Sequence, residues 1–243
     1  MPVTRAPAAA RRGRLASFWA STVGKKIVMA LTGLIMAGFL VMHMTANLLA
    51  YMGPDGINSY SRFLHATPEL LWPARAALLM SVLAHATSAY QLSRASASAR
   101  PVSYEMRKTQ IATIASRTIR WLSVLVALFI VIHLLHFTSG TLLPGFIEGN
   151  PYANLVNGFS SQRGMAAFYL VMMVVIGLHL YHGTWSAIRT LGLSRPKPSP
   201  FVRPVATVLA ILVWLGFSAV PIGVLVGVIG ASDDTPAFTV RER

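Results

Sequence analysis

Residues 121–147 read WLSVLVALFIVIHLLHFTSGTLLPGFI, 27 residues without a charge. An α-helix rises about 1.5 Å per residue and needs about 20 apolar residues to cross about 30 Å of hydrocarbon. The run meets that length. Its apolar residues do not alternate with polar ones, so it does not read as a barrel strand. It therefore predicts a membrane-spanning helix. It also places two imidazoles, His133 and His136, inside that helix, three residues apart.

Four further uncharged runs occupy residues 27–54, 76–93, 164–188 and 204–232. The second is short between its charges. It is expected to begin near Leu70, with Arg75 in the outer interface or facing protein. The whole chain of 243 residues is 54% hydrophobic and 12% charged, against about 25% charged in soluble domains. The expected fold is an all-α integral membrane protein, a bundle of five transmembrane helices. Its organisation reads as a basic segment over residues 1–26, a membrane domain over 27–232 and a short tail over 233–243. No internal repeat or second domain is visible. The apolar run after Lys26 is too long for a signal-peptide core and ends without a clear small-residue cleavage site. It reads as a retained first span.

The loops orient the spans. The segment up to Lys26 holds six Lys/Arg and no acid, the segment from Arg94 to Arg120 six and one acid, and the segment from Arg189 to Arg203 four. These alternate segments share one side. The other side has five Lys/Arg and six of the seven acids. The positive-inside rule places the N-terminus in the cytoplasm and the C-terminus outside, which predicts a multi-pass protein of the cytoplasmic (inner) membrane. The formal charge of +14 does not indicate nucleic acid, because the basic residues lie between lipid-embedded runs. Stretches such as "GPDGINSY" and "LLPGFIEGNPYANLVNG" have turn chemistry and predict outer loops. "SRPKPSPFVRP" predicts a Pro-rich turn between spans four and five. The chain has no cysteine, which excludes disulfides, thiolate zinc sites, an iron–sulfur cluster held by its own thiolates and covalent c-type haem.

Histidines recur through these runs: His43, His85, His133 with His136, and His179 with His182 in "GLHLYHGTWS". An ionisable group inside a membrane helix is costly and points to function. A carboxylate–histidine proton relay lacks its carboxylates, and zinc would want three or four ligands together. Histidines on four helices suit six-coordinate haem iron held between two imidazoles. Depth sorts them. His85 lies nine residues before Arg94 and His179 ten before Arg189; His43 lies seventeen after Lys26, His133 thirteen after Arg120 and His136 sixteen. An inner and an outer pair result, about 10 Å apart along the membrane normal at about 1.5 Å per residue. Depth slightly favours His136 over His133 as the partner of His43, and does not choose between His179 and His182.

The segments "GKKIVMALTGLIMAGFLVMHMTANLLAY", "LLMSVLAHATSAY", "RWLSVLVALFIVIHLLHF" and "GLHLYHGTWSAIRTLG" together resemble the single-chain, five-helix di-haem cytochrome b subunit of bacterial succinate dehydrogenase and fumarate reductase (complex II). The resemblance runs from about Ser21 to Gly230. It implies two haem b groups, each with one axial histidine from each of two helices: His43 and His133 for the outer haem, His85 and His179 for the inner. The family's arginine followed thirteen residues later by histidine fits Arg120 and His133. Its histidine, three residues, glycine, one residue, tryptophan fits His179, Gly183 and Trp185. On this alignment His136 and His182 support the ligands or the packing. Gly183 clears room for a macrocycle, and Gly177, Ser81 and Ser88 serve clearance or helix packing. Each ligand's second ring nitrogen is expected to find a hydrogen-bond acceptor, a Ser or a backbone carbonyl.

The resemblance also implies partners: a flavoprotein subunit and an iron–sulfur subunit docked on the cytoplasmic face, the membrane lipid, and an exchangeable quinone (menaquinone or ubiquinone). Succinate chemistry would belong to a partner chain. Quinone candidates near the outer haem are Asn47, Arg62, His65 and Glu69, against the reading in which "TPEL" simply starts a helix. Lys25, Lys26, Arg94 and Arg189 are candidates to meet haem propionates, lipid phosphates or a partner. One branch of the family moves a compensating proton through a glutamate two residues before the fourth ligand. Gly177 stands there, which argues against that path. The rival readings are the di-haem anchor of a formate dehydrogenase or hydrogenase, and a haem-free transporter with histidines in its packing.

Overall fold

The computed structural model describes residues 13–99, 114–193 and 200–230. Among these the chain forms eight α-helices and no strand. They are α1 (Arg14–Ala20), α2 (Thr22–Leu48), α3 (Pro54–Ala66), α4 (Pro68–Ser98), α5 (Ile114–His133), α6 (Pro151–Ser160), α7 (Arg163–Thr190) and α8 (Val202–Leu225). Five segments are long and apolar enough to cross a membrane: Thr22–Met52, Pro68–Ser98, Arg117–Thr138, Arg163–Thr190 and Val202–Leu225. The tail over 233–243, the first twelve residues and most of the Pro-rich turn lie outside the described residues.

The boundaries differ from the uncharged runs for local reasons. The first span starts at Thr22, not after Lys26, because the Ser21 side chain accepts from Gly24 N at 2.9 Å and caps the helix there. The second starts at Pro68, a residue suited to the first helical position. Arg75 therefore sits inside α4, its guanidinium 5.1 Å from the centre of the Trp72 ring. The third ends at Thr138 rather than Ile147. A π turn, Leu134–Thr138, follows α5 directly, marked by Ser139 N donating to Leu134 O at 2.9 Å. Gly140 then takes a φ of 69° that side-chain-bearing residues avoid.

α7 lies at the centre. It packs on α8, α5 and α2, and α2 in turn packs on α4. Gly177 faces α8: a side chain there would touch Trp214 Cβ at 3.5 Å and approach Ala210 O. Its smallness thus serves helix approach. Tyr169, Met172, Met173 and Ile176 bury with Phe129 of α5 in the main apolar cluster. Outward faces stay apolar and exposed. On α5, Trp121, Val124, Leu128 and Val131 recur at helical spacing, as a lipid-facing stripe does.

Of the two stretches expected as outer loops, the first lies almost wholly in α3, while the second keeps its turns through residue 150 and is helical only from Pro151, in α6. Each helix has proline at its start, and α6 is also capped by Asn150, whose side chain accepts from Ala153 N at 3.0 Å. The turn residues are helix-starting residues here. α3 and α6 form one cap. Asn58 donates to Asn150 Oδ1 at 3.0 Å and accepts from Tyr152 N at 3.0 Å, and Tyr152 donates its hydroxyl proton to Gly230 O at 2.8 Å. The segments after the first, third and fifth spans therefore meet at one end. Asn154, nearly fully buried, accepts from Ile147 N at 2.8 Å and donates to Ile147 O at 2.7 Å.

Asn154→Ala would leave both polar groups of Ile147 without these partners. The expected cost is about 1–3 kcal/mol, read as a lower unfolding temperature in detergent, with the five spans still inserted.

Candidate functional site

The four histidines on α2, α4, α5 and α7 form two facing pairs. His43 and His133 have ring centres 5.8 Å apart with planes at 79°. His85 and His179 have centres 6.3 Å apart with planes at 60°. Neither α2 with α5 nor α4 with α7 makes an extended packing contact. The imidazoles therefore approach each other across gaps between helices that do not otherwise close on one another.

These separations fit two axial ligands of one metal. With a metal–imidazole nitrogen bond of about 2.0 Å and a ring centre about 1.1 Å behind that nitrogen, opposed rings stand about 6 Å apart. Among the described residues no three His, Asp or Glu side chains converge as a protein-only metal site would need. Two imidazoles per site would suit a cofactor that brings its remaining ligands with it, as haem does.

Proton positions follow from what the partners can do. His85 Nδ1 lies 3.0 Å from Met29 O. A carbonyl only accepts, so Nδ1 donates and Nε2 is left bare, the form that binds iron. Gly33, one turn beyond Met29 on α2, makes room for this ring: a Cβ there would stand 3.2 Å from His85 Cε1. Asn47 Nδ2 donates to His43 O at 2.7 Å and lies 3.4 Å from His43 Nε2. A second N–H facing Nε2 again favours a bare nitrogen there. His133 Nδ1 is 3.3 Å from the Tyr169 hydroxyl. His179 departs from the expectation of a bonded second nitrogen: its Nδ1 is buried without a partner. Gly183, one turn after His179, has no atom within 4 Å of where a Cβ would stand, so the space expected beside this ligand is open.

The histidines left over sit differently. His136 is fully buried. Its Nε2 lies 2.9 Å from Gln162 Oε1 and its Nδ1 3.2 Å from the Tyr169 hydroxyl, so both nitrogens are engaged within the protein. Gly158 lets it in: a Cβ there would stand 3.2 Å from His136 Cε1. His182 packs edge-on against Trp185, with ring centres 6.2 Å apart. Trp185 also receives the guanidinium groups of Arg189 and Arg203, at 5.2 and 5.8 Å from its ring centre. Ser81 and Ser88, one turn either side of His85, are buried, and Ser88 bonds its own helix at Ala84 O.

The quinone candidates differ in their surroundings. Asn47 lies beside His43, but Arg62, His65 and Glu69 are exposed. Arg62 donates to Ser59 Oγ at 2.7 Å and His65 Nδ1 to Ser61 O at 2.8 Å, both within α3. Glu69 occupies the first turn of α4, where a negative charge favours the helix dipole. The helix start in "TPEL" is present, though Thr67 donates back to Phe63 O at 3.0 Å and so finishes α3 instead of capping α4.

Met29, Gly33, Gln162 and Tyr169 escaped the sequence reading. Only Gly33 could have been found, since it lies seven residues after Lys26 and so at about the depth of His85. Comparison with family models, curated proteins and solved structures finds no match.

Gly33→Val is expected to push the His85 ring off α2 and abolish the His85–His179 site, leaving His43–His133 intact. Were each pair to hold one haem, pyridine haemochrome counts of the purified chain would fall from two haems to one.

Proposed function

We propose that this chain is a di-haem cytochrome b that anchors a succinate:quinone oxidoreductase in the membrane. The observation that carries the haem reading is the pairing of histidines at 5.8 and 6.3 Å across two interhelical gaps. The order of the sequence segments described above supports the assignment to complex II. His43 and His133 would hold the outer haem, His85 and His179 the inner. Bound there, haem supplies one-electron transfer. The chain's residues supply axial nitrogens, exclude water and fix the separation between the sites.

In this reading the basic ends of the spans face the cytoplasm and dock a flavoprotein and an iron–sulfur subunit. Electrons pass between that side and a quinone near the outer site, in either direction of the succinate–fumarate couple. Asn47 stays the best-placed quinone candidate because it borders His43. Moving one electron across a full membrane potential of 100 mV is worth about 2.3 kcal/mol. The field therefore drives or opposes the transfer unless protons compensate. With Gly177 packed against α8, the glutamate path of the resembled family has no counterpart at that position.

The purified chain is expected to carry two low-spin b haems, with a succinate–quinone activity when partner subunits co-purify. Replacing His85 or His179 by Ala should remove the inner haem, and replacing His43 or His133 the outer one. Replacing His182 should retain both. Replacing His136 should also retain both, with lower stability because His136 is buried and doubly bonded. Loss of a haem from the His136 variant, with both kept in the His133 variant, would reverse the ligand assignment. A spectrum without haem would leave the transporter reading, and partner subunits found outside would favour the formate dehydrogenase or hydrogenase class.

A further inference from the structure

We infer that Tyr169, locked by His136 and Gln162, is a positioning residue that sets which nitrogen His133 presents toward His43. The inference rests on the haem reading above and concerns residues that it leaves without a role.

The argument follows protons along four contacts. Gln162 Nε2 donates to Leu142 O at 3.0 Å, which fixes the amide with Oε1 turned the other way. Oε1 only accepts, so His136 Nε2, at 2.9 Å, carries a proton. A neutral imidazole has one N–H, so His136 Nδ1 is bare. The Tyr169 hydroxyl, 3.2 Å away, must give its single proton to that nitrogen. Having spent it, the Tyr169 oxygen acts toward His133 only as an acceptor. His133 Nδ1, at 3.3 Å, is therefore the donor, and Nε2 is bare. One amide at the outer end of α7 thus dictates, two side chains away, the tautomer of a candidate ligand.

Packing holds the chain in place. His136 is fully buried and Tyr169 nearly so. The Tyr169 ring is wedged edge-on between Phe129 at 5.1 Å and Phe159 at 5.3 Å, centre to centre. The hydroxyl has little freedom to seek other partners. The π turn begins directly after His133. Its wider winding increases the angle between His133 and His136, so one ring meets His43 while the other meets Gln162. A back-side acceptor also raises the basicity of a metal-ligating imidazole, so the same contact tunes the outer site.

Tyr169→Phe tests this on the whole purified protein, because it removes the hydroxyl and keeps the ring. Redox titration and low-temperature EPR should show the outer haem shifted to a more positive potential with altered low-spin g values, or lost, while the inner haem is unmoved. Gln162→Leu, at a half-buried position, should shift the outer signal in the same direction by a smaller amount and broaden it, since His136 is then free to change tautomer. Phe168→Leu, which disturbs packing beside Tyr169 without touching a hydroxyl, should leave the outer signal alone. An outer haem identical in wild type and Tyr169→Phe, or shifted equally by Phe168→Leu, overturns the inference and leaves the haem reading standing. If Tyr169→Phe does not fold, Gln162→Leu decides alone: an unchanged outer signal overturns the inference. A wild-type chain that binds no haem removes both.

Discussion

Hydrocarbon offers no hydrogen bonds, and the rest of this structure follows from that. Backbone groups must be paired within their own helix, so the apolar runs are helices. Side-chain nitrogens gain by finding protein, and three of the histidines do so. His136 uses an amide and a phenol, His85 a backbone carbonyl, and His133 a tyrosine hydroxyl. His43 and His133, like His85 and His179, then face each other across gaps that the bundle does not close. A polar group with neither water nor a protein partner is costly. At the second gap His179 Nδ1 is left in that state.

The five spans were legible because the length of an uncharged run is a direct measure of what crosses the membrane. The start of the first and the end of the third were not, because the Ser21 cap and the π turn before Gly140 are decided by a few atoms that hydropathy does not register. The cap was misread for a related reason. Gly, Pro and Asn signal a turn in water, and the same residues start helices when one segment can pack on another. Asn58 and Asn150, 92 residues apart, find each other only in three dimensions.

The histidines themselves stood out in sequence, since an imidazole in an uncharged run is conspicuous. Depth alone leaned toward His136, because it treats α5 as a straight regular helix with sharp ends. The structure sets His133, not His136, opposite His43, and the π turn between the two is invisible to residue counting. Their partners were hidden altogether. Tyr169 reads as one more aromatic in an apolar helix, and Gln162 as a loop residue, until the fold places them beside His136.

The cap also orders events in time. His43 and His133 belong to the first three spans, His179 to the fourth, and Gly230, which receives the Tyr152 hydroxyl, follows the fifth. Chains emerge N-terminus first. The His43–His133 pair can therefore come together before the His85–His179 pair, while the capped end still lacks its last tie. The end tied together by Asn58, Asn150, Tyr152 and Gly230 is thus the last part of the bundle that the growing chain can complete.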